Sequence, residues 1–293
     1  MQQTIIDAQK PPNLFNFREL YTYRELLLIL AYREYKVRYS QTVLGFMWVF
    51  IQPFTTLLIL VLVFGFAAKI DTGGVPYPLF VVTGLAAWNY ASFVLSQAGS
   101  SIIQGQSLIS KVYFPRLVIP LSKAIVGLID LAVVLLFIVL LLIYYKLFPA
   151  AVEVTKVGFD KVLTSQSGSY PSMNIIYFPL FLLMDILIAV GIGIWMSALT
   201  IRFRDLQYTI PFLVQIGLYA TPIAYPASIL PEKIQQCIYL NPMVGVVEGF
   251  RWSILGIGEL NTYMFLSFGM GLIIFITSLM YFKKVEVIMA DIV

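Results

Sequence analysis

The chain has 293 residues, of which 60% are hydrophobic and only 12% charged. A soluble domain carries roughly 25% charged residues, so a soluble fold is excluded, and long continuous apolar runs exclude a barrel of short alternating strands. The net charge is +4, the single cysteine (Cys237) excludes an intrachain disulfide, and the absence of histidine removes the usual metal ligand and neutral-pH proton carrier.

Residues 1–13 are polar, contain Pro11-Pro12, and read as a flexible tail. They lack a basic region followed by an apolar one, so no cleaved signal peptide is expected and the first span serves as its own insertion signal. Residues 14–38 alternate charge clusters with apolar turns. Leu20, Tyr23, Leu27, Leu30 and Glu34 recur three or four apart, while Arg18, Glu25, Arg33 and Lys36 lie mostly elsewhere around the helix. That spacing predicts an amphipathic helix lying in the membrane interface, either as a docking element or as an ordinary juxtamembrane helix.

Six spans follow by hydropathy, within a transmembrane domain placed at 39–284. They cover about 44–68, 79–103, 117–145, 175–201, 206 to the prolines at 222 and 226, and 263–282. The fold class is therefore an all-α membrane protein with six transmembrane helices. An even number of spans puts both termini on one side, with residues 285–293 as a tail. Lys10, Arg18, Arg24, Arg33, Lys36, Arg38, Lys111, Arg116, Lys123, Arg202, Arg204, Lys283 and Lys284 share that side. The other side holds only Lys69, Lys146, Lys156, Lys161, Lys233 and Arg251. By the positive-inside rule both termini are cytoplasmic. Residues 146–173 form an external loop. Residues 227–258 are moderately apolar and broken, with Pro222, Pro226, Pro231 and Pro242 in or before them. Two pieces too short to span, about 229–240 and 243–256, predict broken re-entrant external helices between spans five and six.

No chemistry-bearing motif stands out. The segment "GQSLISK" at 105–111 lacks the second glycine and the Ser/Thr of a phosphate-binding loop, so it holds no nucleotide. The chain is not expected to be an enzyme. Asp130 and Asp185 fall inside spans three and four, where an ionisable group is a functional hypothesis by default. They are either a proton relay or carboxyls hydrogen-bonded within the bundle, and no basic residue sits at matching depth. Asn89, Ser92, Ser96, Ser100 and Gln104 share one face of span two, as a close-packing surface or a hydrated lining. Phe46, Trp48, Phe50 and Phe54 crowd span one beside Pro53, which should kink it. Such rings offer flat faces over which sugars can slide. Glu248 and Arg251, three apart, are placed to pair with each other.

Four blocks resemble the permease subunits of bacterial polysaccharide exporters in the type-2 class of ATP-binding-cassette transporters. They are "LAYREYKVRYSQTVLGFMWVFIQP" at 30–53, "KVYFPRLVIPLS" at 111–122, "RFRDLQYTIPFLVQIGLYATPIAYP" at 202–226 and "NPMVGVVEGFRW" at 241–252. The resemblance spans about 14–284. It implies a homodimer in a bacterial cytoplasmic (inner) membrane, with two copies of a separate ATPase that alone bind ATP and Mg. It implies a lipid-linked glycan such as O-antigen, capsule or teichoic acid as cargo, no cofactor in this chain, and no nucleic-acid partner. The interface helix and the elbow at 111–116 would dock the ATPase through Arg24, Arg33, Lys111, Tyr113, Phe114, Pro115 and Arg116, with the two aromatics as an apolar plug. Tyr39, Gln41 and Gly45 would stand at the channel entrance. Trp48, Phe50, Phe54, Asn89, Ser92 and Ser96 would line the channel, and Pro222, Pro226, Glu248 and Arg251 would belong to an external gate. Two rivals remain: a proton-coupled secondary carrier using Asp130 and Asp185, and a small-lipid or drug exporter of the same fold.

Overall fold

A computed structural model describes residues 17–40, 42–148 and 171–292. The expected tail at 1–13, Gln41, and most of the external loop at 146–173 lie outside them. The interface segment is two helices, α1 (Phe17–Thr22) and α2 (Arg24–Tyr39). The predicted face is the one that packs. Leu30 is buried, and Leu20, Tyr23 and Leu27 lean on the same cluster, whose other members include Phe114, Val118, Ile119, Ile194 and Phe282.

A tight turn at Gly45–Met47 leads into α3 (Trp48–Leu60), which widens into a π-helical stretch at Val61–Ala67. Pro53 lies within α3 without ending it. Then come α4 (Tyr77–Gly99), the short α5 (Ser101–Gln104) and α6 (Gln106–Ile109), and α7 (Val118–Leu147). The second half comprises α8 (Phe178–Arg202), α9 (Leu206–Ala220), α10 (Glu232–Ile238), α11 (Pro242–Leu255) and α12 (Tyr263–Ile292). No strand occurs among the described residues.

Among the described residues, five helical segments are long and apolar enough to cross a membrane: Gly45–Ala67, Tyr77–Gly99, Val118–Leu147, Met173–Arg202 and Tyr263–Glu286. The sixth expected span is α9, which is not among them. Its 15 residues rise only about 22 Å, short of a ~30 Å hydrocarbon core. Pro222 explains the stop. The residue before a proline is pushed out of the helical region, and Thr221 is extended at φ −97°, ψ 134°. The expected pair of short helices between α9 and α12 is present as α10 and α11, each opening at a proline.

The helix α4 is the axis of the fold. It is buried on most sides and packs on α7, α8, α9 and α11, whereas α3 is largely exposed. Small residues set the spacing between helices, as in other membrane bundles. A Cβ on Gly193 of α8 would stand 2.9 Å from Val94 of α4, and one on Gly191 would stand 2.9 Å from the Phe275 backbone of α12. Thr200 of α8 donates to the Gly99 carbonyl at 2.7 Å, fixing the register of α8 on α4.

Candidate functional site

The elbow between α6 and α7 has two sides. Lys111 and Tyr113 face outward, Tyr113 at 70% exposure. Phe114 turns in, at 5% exposure, among Val118, Ile119 and Ile201. The expected aromatic plug therefore reduces to Tyr113, because Phe114 is spent anchoring the elbow to the bundle. Arg116 is also partly committed. Its backbone N–H donates to the Glu286 carboxylate, and its guanidinium donates to the Glu286 carbonyl at 2.8 Å. Pro115 sits between these two anchors, so the elbow is held both by the buried cluster and by the C-terminal part of α12. On the interface helices, Arg24 is exposed over the Tyr21 ring, and Arg33 is exposed and bonded to Glu34.

The end of α2 forms an ionic node that the sequence did not disclose. Arg38 Nη1 lies 2.6 Å from Asp130 Oδ2, and the Tyr39 hydroxyl donates to Asp130 Oδ1 at 2.8 Å. The expectation that Asp130 lacks a basic partner is thereby corrected. The partner comes from the interface helix, 92 residues away, and reaches in along its own side chain. Arg38 also rests over the Phe93 ring of α4 at 4.5 Å. Burial and the Asp130 carboxylate together raise the Tyr39 hydroxyl well above its ordinary value, so it stays a donor. Past this node the chain turns at Gly45, whose φ of +50° is the left-handed conformation that glycine adopts without a steric cost.

From Tyr39 a file of aromatic rings climbs into the first span. Ring centroids are 5.0 Å apart for Tyr35–Tyr39, 5.7 Å for Tyr39–Phe46 and 5.7 Å for Phe46–Phe50. Phe54 continues the exposed row and meets Phe137 of α7 at 6.2 Å. Phe50, Pro53 and Phe54 border an apolar cavity of about 160 Å³ with Val133, Val134 and Phe137 of α7. Trp48 is exposed on the same span. Asn89, Ser92 and Ser96 are half-buried, on a helix otherwise mostly enclosed, so they mark the part of α4 that this chain leaves uncovered.

Asp130 and Asp185 are not brought together into a relay by any hydrogen bond. Asp185 is completely buried, and among the described residues neither carboxylate oxygen has a hydrogen-bond partner. The alternative of a carboxyl bonded to helix neighbours therefore fails for Asp185, while Asp130 is bonded to residues of α2 rather than to its bundle neighbours.

At the far end, the pairing of Glu248 with Arg251 is present at 3.1 Å but is a minor part of the arrangement. Arg251 is wholly buried. It donates to the carbonyls of Pro222 at 2.7 Å and Ile223 at 2.6 Å, and more weakly to that of Phe80 at 3.4 Å. Its guanidinium stacks 3.6 Å from the Phe80 ring centroid. Gly84 leaves it room, since a Cβ there would stand 3.0 Å from Nη2. Arg251 thus holds the segment that follows α9 through its Pro222 and Ile223 carbonyls. Pro226 caps the turn at Ala227–Ile229, and the Ala227 N–H points to Glu248 at 3.5 Å.

Among the described residues the chain is an all-helical membrane protein with an interface helix and an anchored elbow of the kind that its resemblance to transporter permeases predicts. Residues 25–255 match the family described as ABC-2 type transporter, and the chain belongs to it. It is similar to the O-antigen export system permease protein RfbA of Myxococcus xanthus, 29% identical over 80% of this chain and 82% of that protein. The protein of the same name from Klebsiella pneumoniae is 27% identical over 92% of this chain and 95% of its own length. The polysialic acid transport protein KpsM of Escherichia coli is 24% identical over 77% and 80%.

Proposed function

We propose that this chain is the transmembrane subunit of an ATP-driven exporter carrying a lipid-linked surface polysaccharide across the bacterial cytoplasmic membrane. The observation that carries the reading is the aromatic file from Tyr35 through Tyr39, Phe46 and Phe50 to Phe54, on the least covered span of a chain related over nearly its full length to O-antigen export permeases. Sugar C–H faces pack on aromatic rings without demanding one fixed hydrogen-bond pattern, which suits a moving polymer. Two copies of the chain would enclose the path between their exposed α3 faces, with Asn89, Ser92 and Ser96 wetting one wall. Both termini lie in the cytoplasm, where two separate ATPase subunits bind ATP and Mg. They dock on Arg24, Arg33, Lys111 and Tyr113, and α10 and α11 close the outer end. The elbow passes their motion on because Phe114 and Arg116 bind it to the bundle. A proton-coupled carrier fits less well, since Asp130 is tied up by Arg38 and Tyr39.

The test is complementation. Deleting the gene should remove one surface glycan, and the wild-type chain should restore it. Changing Phe50 and Phe54 together to alanine should lower export about tenfold, since each aromatic contact contributes about 0.5–1.5 kcal/mol. Folding should be spared, because both rings are exposed. A deletion strain with its surface glycans intact would refute the reading.

A further inference from the structure

A second cavity, of mixed polar and apolar lining and about 410 Å³ in volume, lies between α2, the α5–α6 turn and the start of α7. Its walls are of two kinds. Leu30, Val37, Leu108 and Ile119 are apolar, while Arg33, Glu34 and Lys123 carry charge. Lys123 is only 7% exposed, and its ammonium lies 2.6 Å from Glu34 Oε2. Arg33 lies 2.9 Å from the other oxygen of the same carboxylate, and its half-exposed side chain marks the mouth. One carboxylate therefore faces two cations, and one positive charge is left over. Among the described residues neither cation donates to any other acceptor. A largely buried ammonium with protons to spare is costly unless something accepts them. The hydroxyls of Ser101 and Ser122 also line the wall. Each donates to a carbonyl three residues earlier at 2.7 Å, Ser101 to Ala98 of α4 and Ser122 to Ile119 of α7, and among the described residues neither accepts from Lys123 or Arg33.

We propose that this cavity binds the phosphate of a bilayer phospholipid, and that the bound lipid braces the interface helix against α7. A phosphodiester brings one negative charge, which matches the one uncompensated cation. Its oxygens accept from Arg33 and Lys123, and charge-assisted bonds of this kind are the strong ones. The glycerol and the roots of the acyl chains lie on Leu30, Val37, Leu108 and Ile119. The cavity faces the side of the protein that carries most of its lysines and arginines, where anionic headgroups gather. A diphosphate, as on a polyprenyl carrier, brings more negative charge than the site offers and is disfavoured on that ground.

The experiment uses the purified full-length chain in detergent and reads lipid binding by native mass spectrometry. Three probes are titrated separately: phosphatidylglycerol, diacylglycerol and polyprenyl diphosphate. Phosphatidylglycerol should bind and diacylglycerol should not. Arg33→Gln should weaken phosphatidylglycerol about tenfold, whereas Arg204→Gln, which removes an exposed cation that does not line the cavity, should leave it unchanged. Glu34→Gln doubles the surplus charge and should tighten it several-fold. That variant keeps the proposal testable if Arg33→Gln folds poorly. Equal losses in the two arginine variants, no loss in either, or no tightening in Glu34→Gln would overturn the site. Equal binding of diacylglycerol would overturn the phosphate. Tighter binding of polyprenyl diphosphate with the same dependence on Arg33 would assign the cavity to a carrier lipid and overturn the phospholipid.

Discussion

Two arginines stack on two phenylalanines of the same helix, and they are built for different work. Phe80 and Phe93 of α4 lie about 20 Å apart along its axis, with Arg251 over the first and Arg38 over the second. Arg251 is sealed. Three of its four hydrogen-bond acceptors are backbone carbonyls, which neither titrate nor rotate away. Arg38 keeps a third of its side chain in the open, and its acceptor is a side-chain carboxylate on another helix. The sealed node fastens the end of α9 to α11 and α4, so it acts as a brace. The open node joins the interface helix to α7 through groups that can separate in water at moderate cost, so it can act as a latch.

The sharpest way to break this contrast is Arg251→Met. Removing one partner of a buried charged network leaves the other groups unpaired, at a typical cost of about 3–5 kcal/mol. Chemical unfolding of the chain in detergent should register that loss. Arg251→Lys keeps the charge but not the planar fork, and should fall between wild type and Met. A loss below about 1 kcal/mol for Met would mean that the carbonyls find other donors and the brace is not needed.

The latch predicts a smaller number. In a double-mutant cycle of Arg38→Gln and Asp130→Asn, the coupling should be about 1 kcal/mol or less, and it should shrink at high salt because the pair is partly exposed. Export should respond more than stability does. A coupling as large as the whole Arg251 effect would erase the distinction between brace and latch.

Much of this was legible in the residues, and the remainder was not for identifiable reasons. The spans were readable because uncharged runs of that length have few alternatives. The breaks around α10 and α11 were readable because Pro231 and Pro242 cannot continue a helix. The packed face of α2 was readable from spacing alone. The break at Tyr23 was not, because no proline or glycine marks it. Neither was the burial of Phe114 beside the exposed Tyr113, since adjacent rings in a loop are sorted only by what packs beneath them. Arg38 and Asp130 are separated by α3 to α6 and the first part of α7, and local spacing carries no information at that range. The one available signal was energetic: a carboxylate in an apolar run has to find a partner. The same signal at Asp185 leads to no partner among the described residues, so the rule identifies the problem without giving its solution.

Between brace and latch in burial stands the Glu34–Lys123 pair, which makes the comparison one that pH can test. Burial by itself would raise the Glu34 carboxyl, but hydrogen bonds and charge from Lys123 and Arg33 outweigh it and hold the group below its ordinary value of 4.5. A carboxyl depressed in the folded state binds fewer protons there than in the unfolded state, so stability rises with pH across the interval between the two values. The contribution of Glu34 is therefore complete above about pH 4.5 and fades as the pH falls through the folded value. Melting temperature followed from pH 6 downward should decline more steeply for wild type than for Glu34→Gln, whose amide does not titrate. The difference should be small, because the carboxylate remains partly solvated and its interactions are screened. Parallel acid limbs in wild type and Glu34→Gln would mean that Lys123 and Arg33 do not hold the carboxylate, and the intermediate rank of this pair would be lost.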